Sequence, residues 1–462
     1  MTLIKSISGI RGTIGGKVGE GLSPLDVVKF VAAFGYWIKR KRNSQEIKMV
    51  IGRDARISGP MVNRLATATL QGLGINVIDL GLSTTPTVEM AVIHEGAAGG
   101  IILTASHNPK EWNALKLLNG KGEFISGSEG EEVLKIAEDE SFTFAGVDEL
   151  GSVSQDDTWI EKHIDKVIAL PNVDVAAIEN MHFKVVIDCV NSTGGISLPP
   201  LLKALGVEEV VELYCDPSGE FPHNPEPLPE HLTDLSAKVK ESGAHLGFSV
   251  DPDVDRLAIV SENGEMFGEE YTLVAIADYI LGSKPGATVS NLSSSRALRD
   301  VTQKHGQTHY ASAVGEVNVV NMMKRENAVI GGEGNGGIIV PDLHYGRDAL
   351  VGIALFLSHL AKAGLTCSEL RATYPAYHMS KNKIQLTPSI DVDDVLEQMA
   401  KKYSKEDVNT IDGVKIDFAS GWAHLRKSNT EPIIRVYSES TSPEAAQELA
   451  EKIIVDVNAL VK

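Results

Sequence analysis

Residues 49–81 read MVIGRDARISGPMVNRLATATLQGLGINVIDLG, and their order sets the fold class. An apolar run, MVI, ends in a polar loop. An amphipathic segment, VNRLATATLQGLG, follows and closes on glycine, and a second apolar run, INVIDLG, completes the unit. Short apolar strands alternating with amphipathic helices make βαβ units, which build largely parallel sheets. The pattern returns as VVIDCVNSTGG, LPPLLKALG and VEEVVELY, and again as TVSNLSSS, RALRDVTQKHG and QTHYASAV. Three copies predict three similar α/β domains rather than one large sheet.

From residue 371 the pattern changes. A helix, DVDDVLEQMAKKY, strand pairs in VKIDFASGWAHLRK and IIRVYSES, and a final helix, PEAAQELAEKIIVDVNALV, predict a smaller α+β domain. With a connection at GSVSQDDTWIEKHIDKV, the elements divide as 1–150, 151–256, 257–370 and 371–462. A length of 462 residues exceeds one ordinary core and fits about three or four domains.

The composition, 43% hydrophobic and 23% charged, is globular, so no large disordered portion is needed. Cys189, Cys215 and Cys367 form no CxxC pair, which argues against a thiolate zinc site and for a reducing compartment. The start MTLIKSISGI has no long apolar core, and no run of about 18 apolar residues follows. The expectation is a cytoplasmic protein without a membrane partner, in which the sequons at Asn191 and Asn291 are chance matches. A net charge of −19 repels nucleic acid and acidic lipid, so an anionic ligand requires cations gathered locally.

Several segments carry chemistry. In GGIILTASHNPKEWN an apolar strand ends at Ser106, beside His107, with Pro109 breaking the chain. The segment reads either as an ordinary turn or as a phosphate carrier at the end of a sheet, where α/β proteins keep their chemistry. In DPDVDR, between two strand signals, Asp251, Asp253 and Asp255 alternate so that an extended or gently curved backbone aims three carboxylates at one point. Three like charges repel unless a cation sits among them, and an all-oxygen set favours Mg²⁺ or Ca²⁺. An EF-hand is excluded, because Arg256 stands where that loop needs glycine and the flanks are strands.

GGEGNGG at 331–337 matches the dinucleotide fingerprint, yet the strand-like IIVP follows where a helix is required. A glycine-lined loop exposing Glu333 and Asn335 suits a polyol instead. In HLRKSNTEPIIRVYSES, Arg426, Ser428, Asn429, Thr430 and Arg435 surround a tight turn and make a cradle for a phosphate dianion. At the front, GIRG places Arg11 between glycines, and GRDAR places Arg53, Asp54 and Arg56 after a strand, which suggests anion handling. Each segment alone has an ordinary explanation as a solvated turn.

Together, TASHNP, DPDVDR, GGEGNGG and SNTEP, one per expected domain and in this order, resemble the α-D-phosphohexomutases along essentially the whole chain. That resemblance implies four domains around a central cleft: three related α/β domains with mixed sheets plus a C-terminal α+β domain. It implies that Ser106 is a phosphoserine and that Asp251, Asp253 and Asp255 hold one Mg²⁺ per chain together with the seryl phosphate. Lys116, in EWNALK, matches the family's general acid/base, and Arg11 an arginine near the phosphoserine. The resemblance further implies that Glu333 and Asn335 grip sugar hydroxyls and that Arg426, Ser428, Asn429 and Thr430 bind the non-reacting phosphate. Arg256 and Arg435 join the substrate contacts, and His107 supports the serine while pointing away from it, as neighbours in extended chain do.

The implied reaction interconverts hexose 6-phosphate and hexose 1-phosphate. A hexose 1,6-bisphosphate serves as intermediate and activator, in a monomer or homodimer. Glucosamine phosphate is the expected substrate; the alternatives are dual phosphomannomutase/phosphoglucomutase specificity or a non-catalytic sugar-phosphate-binding protein. The sequence departs from the family pattern at Asn335, Gly336 and Gly337, where serine, glycine and histidine are usual, and near Glu316, where a histidine is usual. Arg347 or Arg296 is expected to supply the missing contacts.

Overall fold

The computed structural model describes residues 2–6, 9–42, 46–386, 390–427 and 433–460. The chain forms two compact units, Met1–Thr272 with Asn335–Leu370, and Leu273–Gly334 with Arg371–Lys462.

The first unit holds two sheets. The larger is built from β1 (Ile4–Ser6), β2 (Gly9–Thr13), β3 (Lys48–Arg53), β4 (Asn76–Leu82), β5 (Gly99–Leu103), β6 (Trp112–Asn119) and β7 (Val153–Gln155). Their order is β1-β2-β6-β5-β3-β4-β7. β3 pairs in parallel with β4 and β5, whereas β6 runs antiparallel to β5 and β2, so the sheet is mixed. The helix Gly59–Gly72 makes the crossover from β3 to β4.

The centre of β3, Met49–Ile51, is apolar without interruption because both its faces are covered. Met49 and Ile51 join one core with Phe34 and Leu70, while Val50 joins another with Val88 and Val92. Burial on both faces removes the alternation a half-exposed strand would show.

The second sheet contains β8 (Lys184–Asp188), β9 (Glu209–Leu213), β10 (Leu246–Val250) and β11 (Leu257–Ser261), in the order β11-β10-β8-β9. β8 is parallel to β9 and β10, and β11 returns antiparallel to β10. The segment 251–256 is therefore the tip of a hairpin closed by the pair Val250 and Leu257.

In the second unit, β12 (Thr288–Asn291) lies between β13 (His309–Ser312) and β14 (Ile330–Glu333), parallel to both. After the glycine-rich loop the chain enters a strand, β15 (Gly337–Ile339), rather than a helix. The C-terminal sheet holds β16 (His378–Gln385), β17 (Asp407–Asn409), β18 (Val414–Asp417), β19 (Trp422–Lys427) and β20 (Ile433–Ser440), ordered β16-β20-β19-β18-β17 and fully antiparallel. Its core packs Ile416, Leu425, Ile434 and Val436 against Met399 and Ile453 of the helices Val392–Lys402 and Pro443–Leu460. The long β16 carries few large apolar residues, which hid it from the sequence. Among the described residues, no helix is long and apolar enough to cross a membrane.

Candidate active site

Ser106 stands three residues beyond β5 with φ +49°, in the left-handed region that a non-glycine residue rarely occupies. The extended geometry expected for this segment is therefore corrected. The turn at Ser106 brings the His107 ring back, with Nδ1 3.4 Å from Ser106 Oγ, a distance too long for a strong hydrogen bond. Burial, and then the nearby Arg256, push the His107 ring down to about 3.

The strained turn is held from below. The Ser106 amide donates to Thr104 Oγ1 (2.9 Å), and Thr104 Oγ1 donates to Asp54 Oδ2 (2.6 Å). Arg56, fully buried, donates through Nε to Asp54 and through its two terminal nitrogens to the carbonyls of Ser106, Asn108, Pro109 and Trp112. GRDAR is thus corrected from an anion-handling loop to the clamp of the serine loop. All five donors of Arg56 are spent on protein oxygens.

Ser106 Oγ donates to Asp251 Oδ2 at 2.6 Å. Asp251, Asp253 and Asp255 are fully buried, and one carboxylate oxygen of each lies within 4.8 Å of the others. The convergence does not come from extended chain. The hairpin tip curls at Val254, with φ +62° and fully buried, a costly conformation for a β-branched residue. Surrounding bonds hold it. The Pro252 carbonyl accepts from Ser192 Oγ (2.7 Å) and Thr193 Oγ1 (2.8 Å), the Asp253 carbonyl from the Thr85 amide (2.9 Å), and the Val254 carbonyl from the Ala349 amide (3.2 Å).

The electrostatics fit a hard dication. Burial, followed by the charges of Asp255 and Asp253, pushes the Asp251 carboxyl well above its usual range. Asp253 Oδ1 and Asp255 Oδ1 are buried without a hydrogen-bond donor. Buried anionic oxygens left open beside one another are what an oxygen-preferring cation requires.

Lys116, opposite Ile102 on the neighbouring strand, reaches Asp253 Oδ2 at 2.7 Å and Asp255 Oδ2 at 3.5 Å. Burial lowers its affinity for a proton, but the two carboxylates outweigh burial and raise it above the ordinary lysine value. Burial would likewise raise Asp253, yet Lys116 and Thr85 hold it below the usual carboxylate range. Arg256 has its amide on Asp251 Oδ1 and its guanidinium 3.6 Å from Glu226. Arg11, paired with Ala114 across β2 and β6, has no carboxylate within ion-pair distance among the described residues, and burial lowers its guanidinium pKa. A half-enclosed cation of this kind is ready for an anion.

The sugar-loop glycines have steric causes. A Cβ at Gly336, where φ is +81°, would lie 2.3 Å from the Leu257 carbonyl oxygen, so this close approach to the base of the aspartate hairpin requires glycine. A Cβ at Gly337 would lie 2.3 Å from Cδ of Arg347, whose Nη2 donates to Asp255 Oδ2 at 2.7 Å. Glycine at 337 therefore makes room for an arginine on the aspartate cluster, where Arg347 contacts a carboxylate of the protein. Asn335 Oδ1 accepts from the Gly337 amide at 3.2 Å.

In the second unit, Glu333 is buried rather than exposed, because β14 runs to its end there. Its Oε1 accepts from Asn291 Nδ2 (3.0 Å) and the Gly315 amide (3.2 Å). Arg296 does not supply an anion contact. Its Nη2 donates to Asp417, Phe418 and Gly421, which ties the helix Ala297–Lys304 to the β18–β19 turn. Arg426 and Arg435 are direct cross-strand partners on β19 and β20, with Arg426 Nε 2.9 Å from Asp412. Ser428, Asn429 and Thr430, in the connection between these strands, lie outside the described residues.

Sequence reasoning missed His163, His344 and Asp348, a buried cluster contributed by the helix Trp159–Ile168 and by the segment before the helix Ala349–Ala363. No local pattern marks them, since they meet only through tertiary packing.

Profiles described as phosphoglucomutase/phosphomannomutase alpha/beta/alpha domains I, II and III match residues 3–144, 161–264 and 268–377, and the C-terminal domain profile matches 386–455. A phosphoglucomutase/phosphomannomutase of Thermococcus kodakarensis is 36% identical, covering 95% of this chain and 96% of its own. A phosphoglucosamine/phosphogalactosamine mutase of Sulfurisphaera tokodaii is 30% identical, covering 96% and 97%. The crystal structure of a phosphoglucomutase/phosphomannomutase family protein from Burkholderia thailandensis superposes with a TM-score of 0.85 at 27% identity, covering 99% and 98%.

The fold is that of an α/β phosphomutase with four domains. The chain belongs to the phosphoglucomutase/phosphomannomutase family of the α-D-phosphohexomutases and is an enzyme of the isomerase class.

Proposed function

We propose that this enzyme interconverts hexose 6-phosphate and hexose 1-phosphate through a phosphorylated Ser106 and a hexose 1,6-bisphosphate, with Mg²⁺ on Asp251, Asp253 and Asp255. One observation carries the reading: Ser106 Oγ donates to Asp251 Oδ2 at 2.6 Å, across 145 positions of sequence. A dication held by the three carboxylates would supply positive charge to the seryl phosphoryl oxygens and offset the negative charge that keeps Lys116 protonated.

In the first half-reaction a sugar hydroxyl oxygen forms a bond to the seryl phosphorus and the Ser106 Oγ–P bond breaks. The hydroxyl proton passes to a base, and Ser106 Oγ regains a proton as it leaves. The bisphosphate turns end over end, and Ser106 Oγ gives up its proton to a base and attacks the other phosphorus; the sugar O–P bond breaks, the sugar oxygen takes a proton, and the phosphoenzyme is restored. Little of this requires covalent assistance, because phosphoryl transfer is governed by positioning and charge. The αL turn fixes Oγ, Arg56 holds the loop carbonyls, and Arg11 and Arg256 supply cationic charge. Lys116 is the proton-transfer group: bound to Asp253 it is an acid, and it becomes a base as that carboxylate's charge is drawn away. Glu333 and Asn335 are assigned to sugar hydroxyls, and Arg426, Ser428, Asn429, Thr430 and Arg435 to the phosphate that does not react.

Glucosamine phosphate is our preferred substrate, and the Sulfurisphaera relative acts on amino sugars by its name. A specific observation favours a second reading. The relative at 36% identity is a phosphoglucomutase/phosphomannomutase, which supports dual use of glucose and mannose phosphates. The test is kcat/KM for glucosamine, glucose, mannose and N-acetylglucosamine phosphates with Mg²⁺ and primed enzyme. A clear preference for glucosamine phosphate supports the first reading, and equal or higher values for glucose and mannose phosphates overturn it.

A further inference from the structure

Two helix N-termini hold consecutive residues of the aspartate hairpin. At the start of the helix Thr85–His94, Thr85 donates through its amide to the Asp253 carbonyl (2.9 Å) and through Oγ1 to Asp253 Oδ2 (2.5 Å). At the start of the helix Ala349–Ala363, the Ala349 amide donates to the Val254 carbonyl (3.2 Å).

These two helix ends are bridged by one side chain. His163 Nδ1 lies 3.0 Å from Thr87 Oγ1, and its Nε2 lies 2.9 Å from Asp348 Oδ2. Asp348 caps the second helix, with Oδ1 accepting from the amides of Leu350 (2.8 Å) and Val351 (3.3 Å). Thr84 caps the first, accepting from the Thr87 amide (3.1 Å), and shares a 2.7 Å hydroxyl contact with Thr87.

The bond directions close on themselves. Asp348 accepts, so His163 donates from Nε2; with a neutral ring, Nδ1 accepts from Thr87 Oγ1, which in turn receives the Thr84 hydroxyl proton. Thr84, Thr87, His163 and Asp348 are all fully buried, so each bond lost would leave a polar atom unsatisfied.

We propose that His163 is a positioning residue for the cation site. The relay Thr84–Thr87–His163–Asp348 fixes the spacing of two helix N-termini, and these hold Asp253 and the strained Val254 of the aspartate hairpin. The proposal rests on the reading of Asp251, Asp253 and Asp255 as the Mg²⁺ ligands.

A second metal centre at His163, His344 and Asp348 is the competing use of these residues, since their ligand atoms lie within 4.8 Å of one another. The hydrogen-bond reading is stronger. Both Nε2 atoms address the same Asp348 oxygen, at 2.9 and 3.2 Å, as two N–H donors sharing one acceptor do.

The test measures Mg²⁺ binding by calorimetry in the full chain, alongside kcat, KM, thermal midpoint and metal content. Thr87→Val keeps the volume and removes the hydroxyl, Thr87→Ser keeps the hydroxyl, and His163→Gln removes the ring bridge. Partners behind metal ligands are worth about 10–100-fold in metal affinity. Thr87→Val and His163→Gln are expected to weaken Mg²⁺ binding at least tenfold with KM unchanged. Thr87→Ser is expected to restore it, and the double variant to be no weaker than His163→Gln. Folded variants that bind Mg²⁺ like wild type, with only a lowered thermal midpoint, overturn the proposal. So does a stoichiometric transition metal that His163→Gln abolishes. Failure of the wild-type protein to bind Mg²⁺ would instead overturn the assignment of the aspartates, and this inference with it.

Discussion

Arg56→Lys is the substitution that most directly probes how the serine loop is built. The guanidinium serves five acceptors: Asp54 Oδ2 and the carbonyls of Ser106, Asn108, Pro109 and Trp112. An ammonium has three protons, so at least two acceptors lose their donor, and the Asn108, Pro109 and Trp112 bonds are the part-buried ones. At about 1 kcal/mol for each part-buried hydrogen bond lost, the loop loses about 2 kcal/mol. Retention of one positive charge keeps Asp54 paired, so folding survives where Arg56→Met would strand a buried carboxylate. Release of the loop lets Ser106 leave its left-handed conformation, and a displacement near 1 Å costs about 100-fold in rate. Hydrogen exchange over 104–112 should rise, and bisphosphate-primed kcat should fall about 100-fold. Wild-type kcat with unchanged exchange would refute the argument that Arg56 sets the serine geometry.

Three further outcomes follow from the geometry. Gly337→Ala places a Cβ against Arg347 and pushes it off Asp255; kcat should fall about tenfold in a folded protein, with a smaller further loss when Arg347→Ala is added, as coupled neighbours are non-additive. His344 is buried, which lowers its proton affinity, but Asp348 and Glu89 outweigh burial and raise it to about 10. Its folded pKa exceeds its unfolded one, so this stabilisation is complete below about pH 6.5 and is lost as pH rises through about 10. The thermal midpoint should therefore fall over that window, and fall less in His344→Asn. Mg²⁺ should raise the thermal midpoint by binding the native aspartate cluster, and Asp253→Asn with Asp255→Asn should remove that dependence.

Much of this architecture was legible because it is local. The strand, helix, glycine and strand order of residues 49–81 predicts the β3-to-β4 crossover, and the same order elsewhere predicts the crossovers of β8 to β9 and of β12 to β13. TASHNP and DPDVDR stood out through residue type and spacing, and the structure brings Ser106 and Asp251 together. Their conformations were not legible, because the positive φ angles of Ser106 and Val254 are imposed by bonds from Arg56 and Ala349 far along the chain. Arg56 looked like an anion binder since its sequence neighbours are polar, yet its partners are carbonyls about fifty residues away. Glu333 looked exposed among glycines, whereas those glycines admit neighbouring chain. The bridge through His163 leaves no sequence trace, because Thr87 and Asp348 lie 76 and 185 positions from it.

The central claim is that Ser106 carries the phosphoryl group. Intact-mass analysis after incubation with hexose 1,6-bisphosphate and Mg²⁺, followed by peptide mapping, tests it directly. The account predicts one added phosphoryl group per chain, located on Ser106, discharged by sugar monophosphate, and absent with loss of turnover in Ser106→Ala. A phosphoryl group on another residue, or full turnover by Ser106→Ala, would contradict it.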